Sequence, residues 1–174
     1  MTKTIQSASE LQATVRQLAA TVCKREPDLA QLTLVGIRTR GVVLANRLQV
    51  EIRRLKKITL PLGVLDITLY RDDLTSVAEQ PVVKRTELPF SIEGKGIILV
   101  DDVLYTGRTI RAALDALIDF GRPGFIKLLC LVDRGWRELP IQPDYVGVRI
   151  ETQRNDNVKV QLKESDGNDG ITLV

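Results

Sequence analysis

The sequence contains no histidine, and this absence excludes several common kinds of active site. Ser-His-Asp and Cys-His systems need an imidazole as their base, and histidine-based metal sites are excluded with them. Two cysteines cannot form a four-thiolate site. Cys23 lies in a helical pattern and Cys130 in an apolar strand pattern, which predicts buried thiols rather than a disulfide. Carboxylates, hydroxyls, cationic side chains and backbone amides remain, a set that suits phosphate and Mg²⁺.

Aromatic residues are also scarce, at 4% of the chain, so the core is expected to be aliphatic. No segment approaches the ~20 apolar residues that cross a bilayer, and the first residues lack the apolar run of a signal peptide. We therefore expect a cytoplasmic protein that does not contact membranes. A chain of 174 residues buries roughly 70% of its unfolded surface, which suits a single domain over residues 1–174.

Positive charge is concentrated in the first third of the sequence. Residues 1–60 hold 11 Lys and Arg against 4 Asp and Glu, whereas the other residues hold 14 against 18. A basic face attracts nucleic acid or a polyphosphate ligand, and a solvated helix surface accounts for the same charges equally well. The charge alone does not decide between these alternatives.

Segments with helical spacing alternate with short apolar runs along most of the chain. Helices are predicted at Leu11 to Val22, Val43 to Leu55 and Ile110 to Ile118. Buried strands are predicted at residues 32–37, 96–100 and 125–132. This alternation predicts an α/β fold with a mainly parallel sheet and helices on both faces. After Trp136 the pattern becomes short and irregular, which predicts a small C-terminal subregion beside the sheet.

The segment ILVDDVLYTGRTI, from Ile98 to Ile110, carries the clearest functional signal. A buried strand is expected to end on Asp101 and Asp102, and a loop containing Gly107 then leads into a helix. In open α/β sheets, ligands bind beyond the carboxyl ends of strands, where a helix N-terminus presents free amides. The pattern therefore predicts a ribose 5-phosphate site, with the two acids accepting hydrogen bonds from ribose hydroxyls. Helix capping alone would need fewer of these residues.

The stretch VDDVLYTGRT (100–109) resembles the motif of type I phosphoribosyltransferases that binds 5-phosphoribosyl pyrophosphate (PRPP), in the form found in the PyrR family. Four further segments resemble PyrR segments in the same order: VGIRTRG (35–41), DITLYRDDL (66–74), DALIDFGRP (115–123) and LVDRGWRELP (131–140). The resemblance covers nearly the whole chain. It implies a type I phosphoribosyltransferase fold with a C-terminal hood, uracil phosphoribosyltransferase activity, and regulation of a pyrimidine operon by transcription attenuation.

The resemblance also implies roles for the motif residues. Asp101 and Asp102 would orient the ribose hydroxyls and hold Mg²⁺, directly or through water, and Arg71 would join them as a catalytic residue. PRPP would be bound by Val103, Leu104, Tyr105, Thr106, Gly107, Arg108 and Thr109. Pyrophosphate would be received by Arg38, Thr39, Arg40 and Gly41, where guanidinium groups can engage phosphate bidentately.

A flexible loop and a base site complete the implied active site. Asp72 and Asp73 lie in the polar stretch RDDLTSVAEQP (71–81), which in the family covers the reacting centre and excludes water. Arg85, Asp133 and Arg134 would contact the pyrimidine or its nucleotide. The implied reaction converts uracil and PRPP into UMP and pyrophosphate through an oxocarbenium-like transition state. The resemblance further implies UMP or UTP as effectors, and a homo-oligomer, either a dimer or a tetramer.

The RNA-binding function rests on fewer matching residues. RNA-binding PyrR proteins use basic and histidine side chains on a concave dimer face, where this chain has Ala20, Trp136, Gln142 and Val148. Phosphate contacts could still come from Arg16, Arg25 and Arg137. Trp136 is expected to be buried at a subunit interface or against the hood, with stacking on an unpaired base as the alternative. We therefore expect weak binding of a pyrimidine-operon leader RNA; a nucleotide-sensing RNA-binding regulator with little catalysis is the alternative function.

Overall fold

The computed structural model describes residues 2–72 and 85–174, and its centre is a five-stranded parallel sheet. The strands of this sheet are β2 (Leu32–Ile37), β3 (Leu62–Leu65), β4 (Gly96–Leu104), β5 (Phe125–Asp133) and β6 (Tyr145–Arg149). Strand β1 (Lys3–Gln6) belongs to a second sheet. The spatial order in the central sheet is β3-β2-β4-β5-β6, and every neighbouring pair is parallel. The predicted α/β fold with a mainly parallel sheet is confirmed.

Three helices cover the two faces of the central sheet: α1 (Ala8–Arg25), α2 (Arg40–Lys56) and α3 (Arg108–Ile118). Strand β4 shows the division, because successive side chains of a strand point to opposite faces. Ile98 and Val100 pack in one apolar cluster with α1 and α2, whereas Ile97 and Leu99 pack in the other with α3. The aliphatic core predicted from the composition therefore consists of two layers, one on each side of the sheet.

Local signals in the sequence account for several element boundaries. Helix α1 begins after Ser7, whose backbone N–H donates to the Glu10 carboxylate at 2.7 Å in a capping box. Cys23 and Cys130 are both free, as predicted, but only Cys130 is fully buried, whereas Cys23 is partly exposed; burial raises the pKa of the Cys130 thiol. The apolar stretch from Leu62 to Tyr70 forms only the short strand β3 followed by a 3₁₀ helix at Thr68–Tyr70. No helix within residues 2–72 and 85–174 has both the length and the apolar character needed to span a membrane.

A second, antiparallel sheet forms the hood beside the central sheet. It consists of β1, β7 (Val158–Gln161) and β8 (Gly170–Leu173) in the order β1-β8-β7, with the short helix α4 (Lys163–Asp166) between β7 and β8. The C-terminal subregion was predicted, but the contribution of β1 was not. Its sequence KTIQ carries little apolar signal, and its partner β8 lies at the other end of the chain.

Two arginines of α2 connect the hood to the central domain. Arg40 donates two hydrogen bonds to Asp166, at 3.0 and 2.6 Å. Arg47 contacts both Glu164, at 2.5 Å, and Asp169, at 2.7 Å. Hydrogen bonds from these guanidinium groups are the main cause that lowers the pKa of all three carboxyl groups. The hood is therefore held partly by carboxylates that must be ionised.

We predict that Arg47→Met lowers the free energy of unfolding by about 1–2 kcal/mol at pH 7, because Asp169 and Arg47 are both mostly buried. Carboxyl groups with a lowered pKa stabilise the fold above the ordinary value of about 4 and lose that contribution as pH falls. The difference between variant and unmodified protein should therefore shrink toward pH 3. Urea unfolding at both pH values measures it. Arg54→Met, which removes the more exposed ion pair of Arg54 with Glu51, is the control and should have a smaller effect.

Candidate active site

A polar cleft of about 340 Å³ opens at the carboxyl ends of β2, β3 and β4, next to the start of α3. It is lined by Ile37, Arg38, Thr39, Asp66, Ile67, Thr68, Arg71, Asp101, Asp102, Val103 and Thr109. A groove of about 390 Å³ lies elsewhere, against α1, α2 and the hood. We place the candidate site in this cleft, because there the carboxyl-terminal parts of three separate strands and the residues after them meet around one space.

The two acidic residues of the motif lie within β4 rather than at its end. The strand stays paired with β5 as far as Leu104, so the predicted strand end at Asp101 and Asp102 was wrong by two or three residues. Asp101 is only 6% exposed, and its Oδ1 accepts a hydrogen bond from the backbone N–H of Asp102 at 3.0 Å. Burial, and secondarily the charge of Asp102, raises the pKa of the Asp101 carboxyl well above its ordinary value. A cation beside these two groups would favour their ionised forms.

The loop after β4 leads into α3 as the sequence predicted. Gly107 caps the helix with φ of 93°, a left-handed conformation that favours glycine. The hydroxyl of Thr106 accepts a hydrogen bond from the N–H of Arg108 at 3.3 Å, and Thr109 lines the cleft. Leu104 points into the core. The guanidinium of Arg108 is engaged with Glu138 at 2.9 Å and with Asp72 at 2.8 Å.

The loop after β2 places two of its four predicted residues in the cleft, Arg38 and Thr39. The Nε of Arg38 is buried without a hydrogen-bond partner in the described chain, although its Nη2 donates to the carbonyl of Arg85 at 3.0 Å. The peptide between Arg38 and Thr39 is cis. Gly41 packs on β4, since a Cβ at this position would lie 2.4 Å from the Val100 carbonyl oxygen. Arg40 extends to the hood instead.

The other predicted site residues are distributed around the cleft. Arg71 lines it, and Asp72 pairs with Arg108 beside it. Asp73 lies outside the described residues. Asp133, the last residue of β5, and Arg134, which follows it, are both buried, and neither lines the cleft.

Arg134 has an internal set of partners. Its guanidinium donates to the carbonyls of Asp156 at 2.7 Å and Gln153 at 3.0 Å, and it lies 4.0 Å from the centre of the Tyr105 ring. Asp133 accepts a hydrogen bond from Arg137 at 2.7 Å. These contacts connect the base of the hood to the loop after β4.

The cleft also contains residues that the sequence analysis did not select. Asp66 and Thr68 follow β3, and the Asp66 carboxylate accepts hydrogen bonds from the backbone N–H of Thr68 at 2.9 Å and from its hydroxyl at 2.5 Å. The sequence signal that could have found Asp66 and Thr68 is a short strand followed by polar residues. Residues that follow a parallel strand reach the same edge of the sheet as Asp101 and Asp102. The strand was hidden in an apolar stretch that alternates poorly.

Comparison with known proteins agrees with this geometry. Residues 1–165 match the family model described as phosphoribosyl transferase domain, and the chain belongs to that family. The Bifunctional protein PyrR of Elusimicrobium minutum is 53% identical over 174 residues, covering 100% of this chain and 97% of that protein. The protein of the same name from Pelotomaculum thermopropionicum is 51% identical over 164 residues, covering 94% of this chain and 91% of that protein. Within the phosphoribosyltransferases, the chain is therefore a member of the PyrR family.

Solved structures support the fold. A hypoxanthine-guanine phosphoribosyltransferase from Bacillus anthracis aligns with a TM-score of 0.72 at 21% identity, covering 99% of this chain and 98% of that one. A hypoxanthine phosphoribosyltransferase from Trypanosoma cruzi aligns with a TM-score of 0.74 at 15% identity, covering 98% and 95%. At such identities the likeness shows the fold alone. The family, the type I phosphoribosyltransferase fold and the assignment as a phosphoribosyltransferase, all predicted from the sequence, are confirmed.

We predict that Asp101→Asn stabilises the protein at pH 8 by about 1 kcal/mol, or about 2–4 °C in melting temperature. Because the pKa of Asp101 is raised in the folded state, ionisation of this carboxyl opposes folding as pH rises above the unfolded value. An amide does not ionise, so the gain should shrink toward pH 5. Calorimetry at both pH values measures it, with Asp28→Asn at an exposed position as the matched control. If Asp101→Asn melts at a lower temperature than the unmodified protein at pH 8, the raised pKa that we assign to Asp101 is contradicted.

Proposed function

We propose that the protein transfers the phosphoribosyl group of PRPP to uracil, giving UMP and pyrophosphate, and that it also acts as a regulator of pyrimidine biosynthesis. The observation that supports the enzyme function most directly is the cleft itself. The loop after β2, the acid pair of β4 and the start of α3 meet there around one space. Each of the three suits a different part of PRPP.

The loop from Tyr105 to Thr109 would bind the 5′-phosphate. A helix N-terminus favours an anion through its free amides and its dipole, and the hydroxyls of Thr106 and Thr109 add donors. Asp101 and Asp102 would accept hydrogen bonds from the ribose hydroxyls. Pyrophosphate would lie against the loop after β2, where the buried Nε of Arg38 is a donor without a partner in the described chain.

Mg²⁺ fits the donor set of this cleft. Two adjacent carboxyl groups, Asp101 and Asp102, face it, and within the described residues no cluster of three or more acidic or thiol side chains exists that could enclose a cation. A magnesium ion bound here would therefore take further ligands from PRPP oxygens and water, as it commonly does at phosphate sites. When bound, it would neutralise charge on the pyrophosphate leaving group.

The protein's own contribution to the reaction would be positioning and electrostatics. Positive charge grows on the ribose as pyrophosphate leaves, and ionised Asp101 and Asp102 beside the sugar favour that charge. Arg38 and Arg71, which both line the cleft, would stabilise the departing pyrophosphate. Closure of a loop over the cleft stays a prediction from the sequence, because the segment that begins with Arg71 and Asp72 continues into residues 73–84, which lie outside the described residues. Three carboxyl groups line the cleft, those of Asp66, Asp101 and Asp102, and no contact in the cleft selects one of them as a general base, so we assign none.

The choice of uracil rests on membership of the PyrR family, because the structural relatives named above act on purines and share only the fold. Arg85, Asp133 and Arg134 stay our candidates for the base site. For Arg134 the structure supports an indirect role, since its guanidinium holds carbonyls of the loop before β7. Cytoplasmic location, a homo-oligomeric state and UMP or UTP as effectors stay predictions.

The regulatory function also rests on family membership. Arg16 is 3.5 Å from Glu51, and Arg25 donates to the carbonyl of Asp144 at 2.8 Å; both side chains lie at the surface. Trp136 is 48% exposed in this chain, rather than buried against the hood, and its indole N–H donates to the Thr152 carbonyl at 2.9 Å. One face of the ring system is thus compatible with stacking on a base or with a subunit contact.

We predict that the purified protein, given Mg²⁺, PRPP and labelled uracil, forms UMP. Asp101→Asn and Asp102→Asn should each lower kcat/KM by on the order of 10³-fold, because they remove charge that the transition state needs. Asp28→Asn should leave the rate unchanged. If the unmodified protein forms no UMP above background, the proposed enzyme function is wrong; if hypoxanthine reacts faster than uracil, only the choice of base is wrong.

We predict that a pyrimidine-operon leader RNA binds weakly, with few phosphate contacts. A plot of the logarithm of the association constant against the logarithm of the salt concentration should have a slope of about −2 or shallower. Arg16→Gln and Arg25→Gln should each lower the magnitude of this slope by about 0.7–0.9. Filter binding over a salt series, with and without UMP, measures this. Tight binding that UMP strengthens would show that the chain has an RNA site beyond these two arginines.

A further inference from the structure

The residues that follow β5 form a support for the proposed phosphate loop. We call residues 134–141 the brace segment. Its donors engage three consecutive carbonyls at the end of β4: the N–H of Arg134 donates to Leu104 at 3.1 Å, and the N–H of Glu138 donates to Thr106 at 2.9 Å. Between them, Nη1 of Arg137 donates to the carbonyl of Tyr105 at 2.9 Å. The middle carbonyl is thus the one that depends on a side chain.

These three contacts also fix the direction of the neighbouring N–H groups. In a planar trans peptide, the carbonyl of one residue and the N–H of the next point in opposite directions. The only cis peptide of the described chain is elsewhere. The N–H groups of Tyr105, Thr106 and Gly107 therefore point away from the brace segment. None of the three donates a hydrogen bond to another group of residues 2–72 or 85–174. Backbone N–H groups that have no acceptor in the chain are available to bind an anion.

Arg137 is suited to this task by its shape. Its side chain is 14% exposed, and besides Tyr105 its guanidinium donates to the carbonyls of Ile141 at 2.9 Å and Gly135 at 3.2 Å. Nη2 donates to the Asp133 carboxylate at 2.7 Å, which balances the buried charge. Four of the five guanidinium N–H donors are thus used inside the chain. One N–H donor is left for an RNA phosphate, on a side chain that is mostly buried.

The backbone at the brace segment is held in an uncommon conformation. Trp136 has φ of 62°, in the left-handed region that non-glycine residues rarely adopt, and it follows Gly135 with φ of 74°. The indole hydrogen bond to Thr152 and the contacts of Arg137 on the next residue keep this turn in place. A turn that is held against its local preference points to a specific geometric requirement nearby.

We propose that Arg137 is a positioning residue for the phosphate loop: by holding the Tyr105 carbonyl, it directs the N–H of Thr106 toward the 5′-phosphate of the substrate. The proposal rests on the proposed function for the identity of the ligand. It replaces the predicted role of Arg137 as an RNA contact. Arg137 acts through the backbone of another residue, and its loss should therefore weaken phosphate binding without altering the pyrophosphate site.

The test separates the two phosphate sites by titrating two fragments of PRPP. Calorimetry with ribose 5-phosphate should show that Arg137→Gln weakens binding by about tenfold or more, the equivalent of one charge-assisted hydrogen bond. Binding of pyrophosphate with Mg²⁺ should change by less than about twofold. In the uracil assay, the KM for PRPP should rise more than kcat falls. A loss of folded protein alone would lower the stoichiometry for both fragments and leave both dissociation constants unchanged.

Two further variants make the result decisive. Arg137→Lys keeps the positive charge opposite Asp133 but cannot contact the carbonyls of Tyr105 and Ile141 at the same time, so it should also weaken the binding of ribose 5-phosphate. This variant replaces Arg137→Gln in the test if the glutamine variant does not fold. Arg122→Gln, at the far end of β5, is the matched control and should bind both fragments normally.

Three results would overturn the proposal. The first is unchanged binding of ribose 5-phosphate by both Arg137 variants. The second is an equal loss for the two fragments, and the third is the absence of ribose 5-phosphate binding by the unmodified protein. The unmodified protein could also bind ribose 5-phosphate but form no UMP. If the Arg137 variants then bind ribose 5-phosphate more weakly, the proposed enzyme function fails while the positioning role stands.

Discussion

The pairing of β4 with β5 as far as Leu104 and Asp133 is the constraint on which the rest of the site depends. It keeps Asp101 inside a strand, where the carboxyl loses water and its pKa rises. The same pairing brings the residues after both strands into contact, so that the loop starting at Tyr105 lies against the segment starting at Arg134. A strand that ended at Asp101 would leave the acid solvated and the loop unsupported.

Much of this arrangement could be predicted from the sequence, because its signals are local. The residues of the phosphate loop are contiguous, and the strand before them and the helix after them have clear apolar patterns. Asp66 and Thr68 were missed, although they line the same cleft, because β3 is only four residues long and does not alternate cleanly. Strand β1 was missed for another reason: a terminal strand with few apolar residues is defined by its partner, and that partner is β8.

The arginines show most clearly what a sequence cannot predict. The family resemblance implies a pyrophosphate contact for Arg40 and leaves Arg137 as a possible RNA contact, yet the first contacts Asp166 in the hood and the second contacts backbone carbonyls. A guanidinium has five donors, and which acceptors it meets is decided by residues that are distant in the sequence. Arg40 and Asp166 are separated by 126 positions. Composition can therefore count cations, but only the fold shows which of them face a ligand.

The cleft, the loop after β4 and the brace segment together contain several features that oppose folding in the absence of a ligand. Asp101 is a buried acid, Trp136 has a left-handed backbone, and three N–H groups point away from any acceptor in the described chain. They persist because the β4–β5 pairing and the brace segment fix the backbone on both sides. The conformational entropy of ordering the loop is thus lost on folding, so that under the proposed function a phosphate would meet donors that are already in place. The folding stability that is given up around the cleft would then be the physical basis of the proposed phosphate binding.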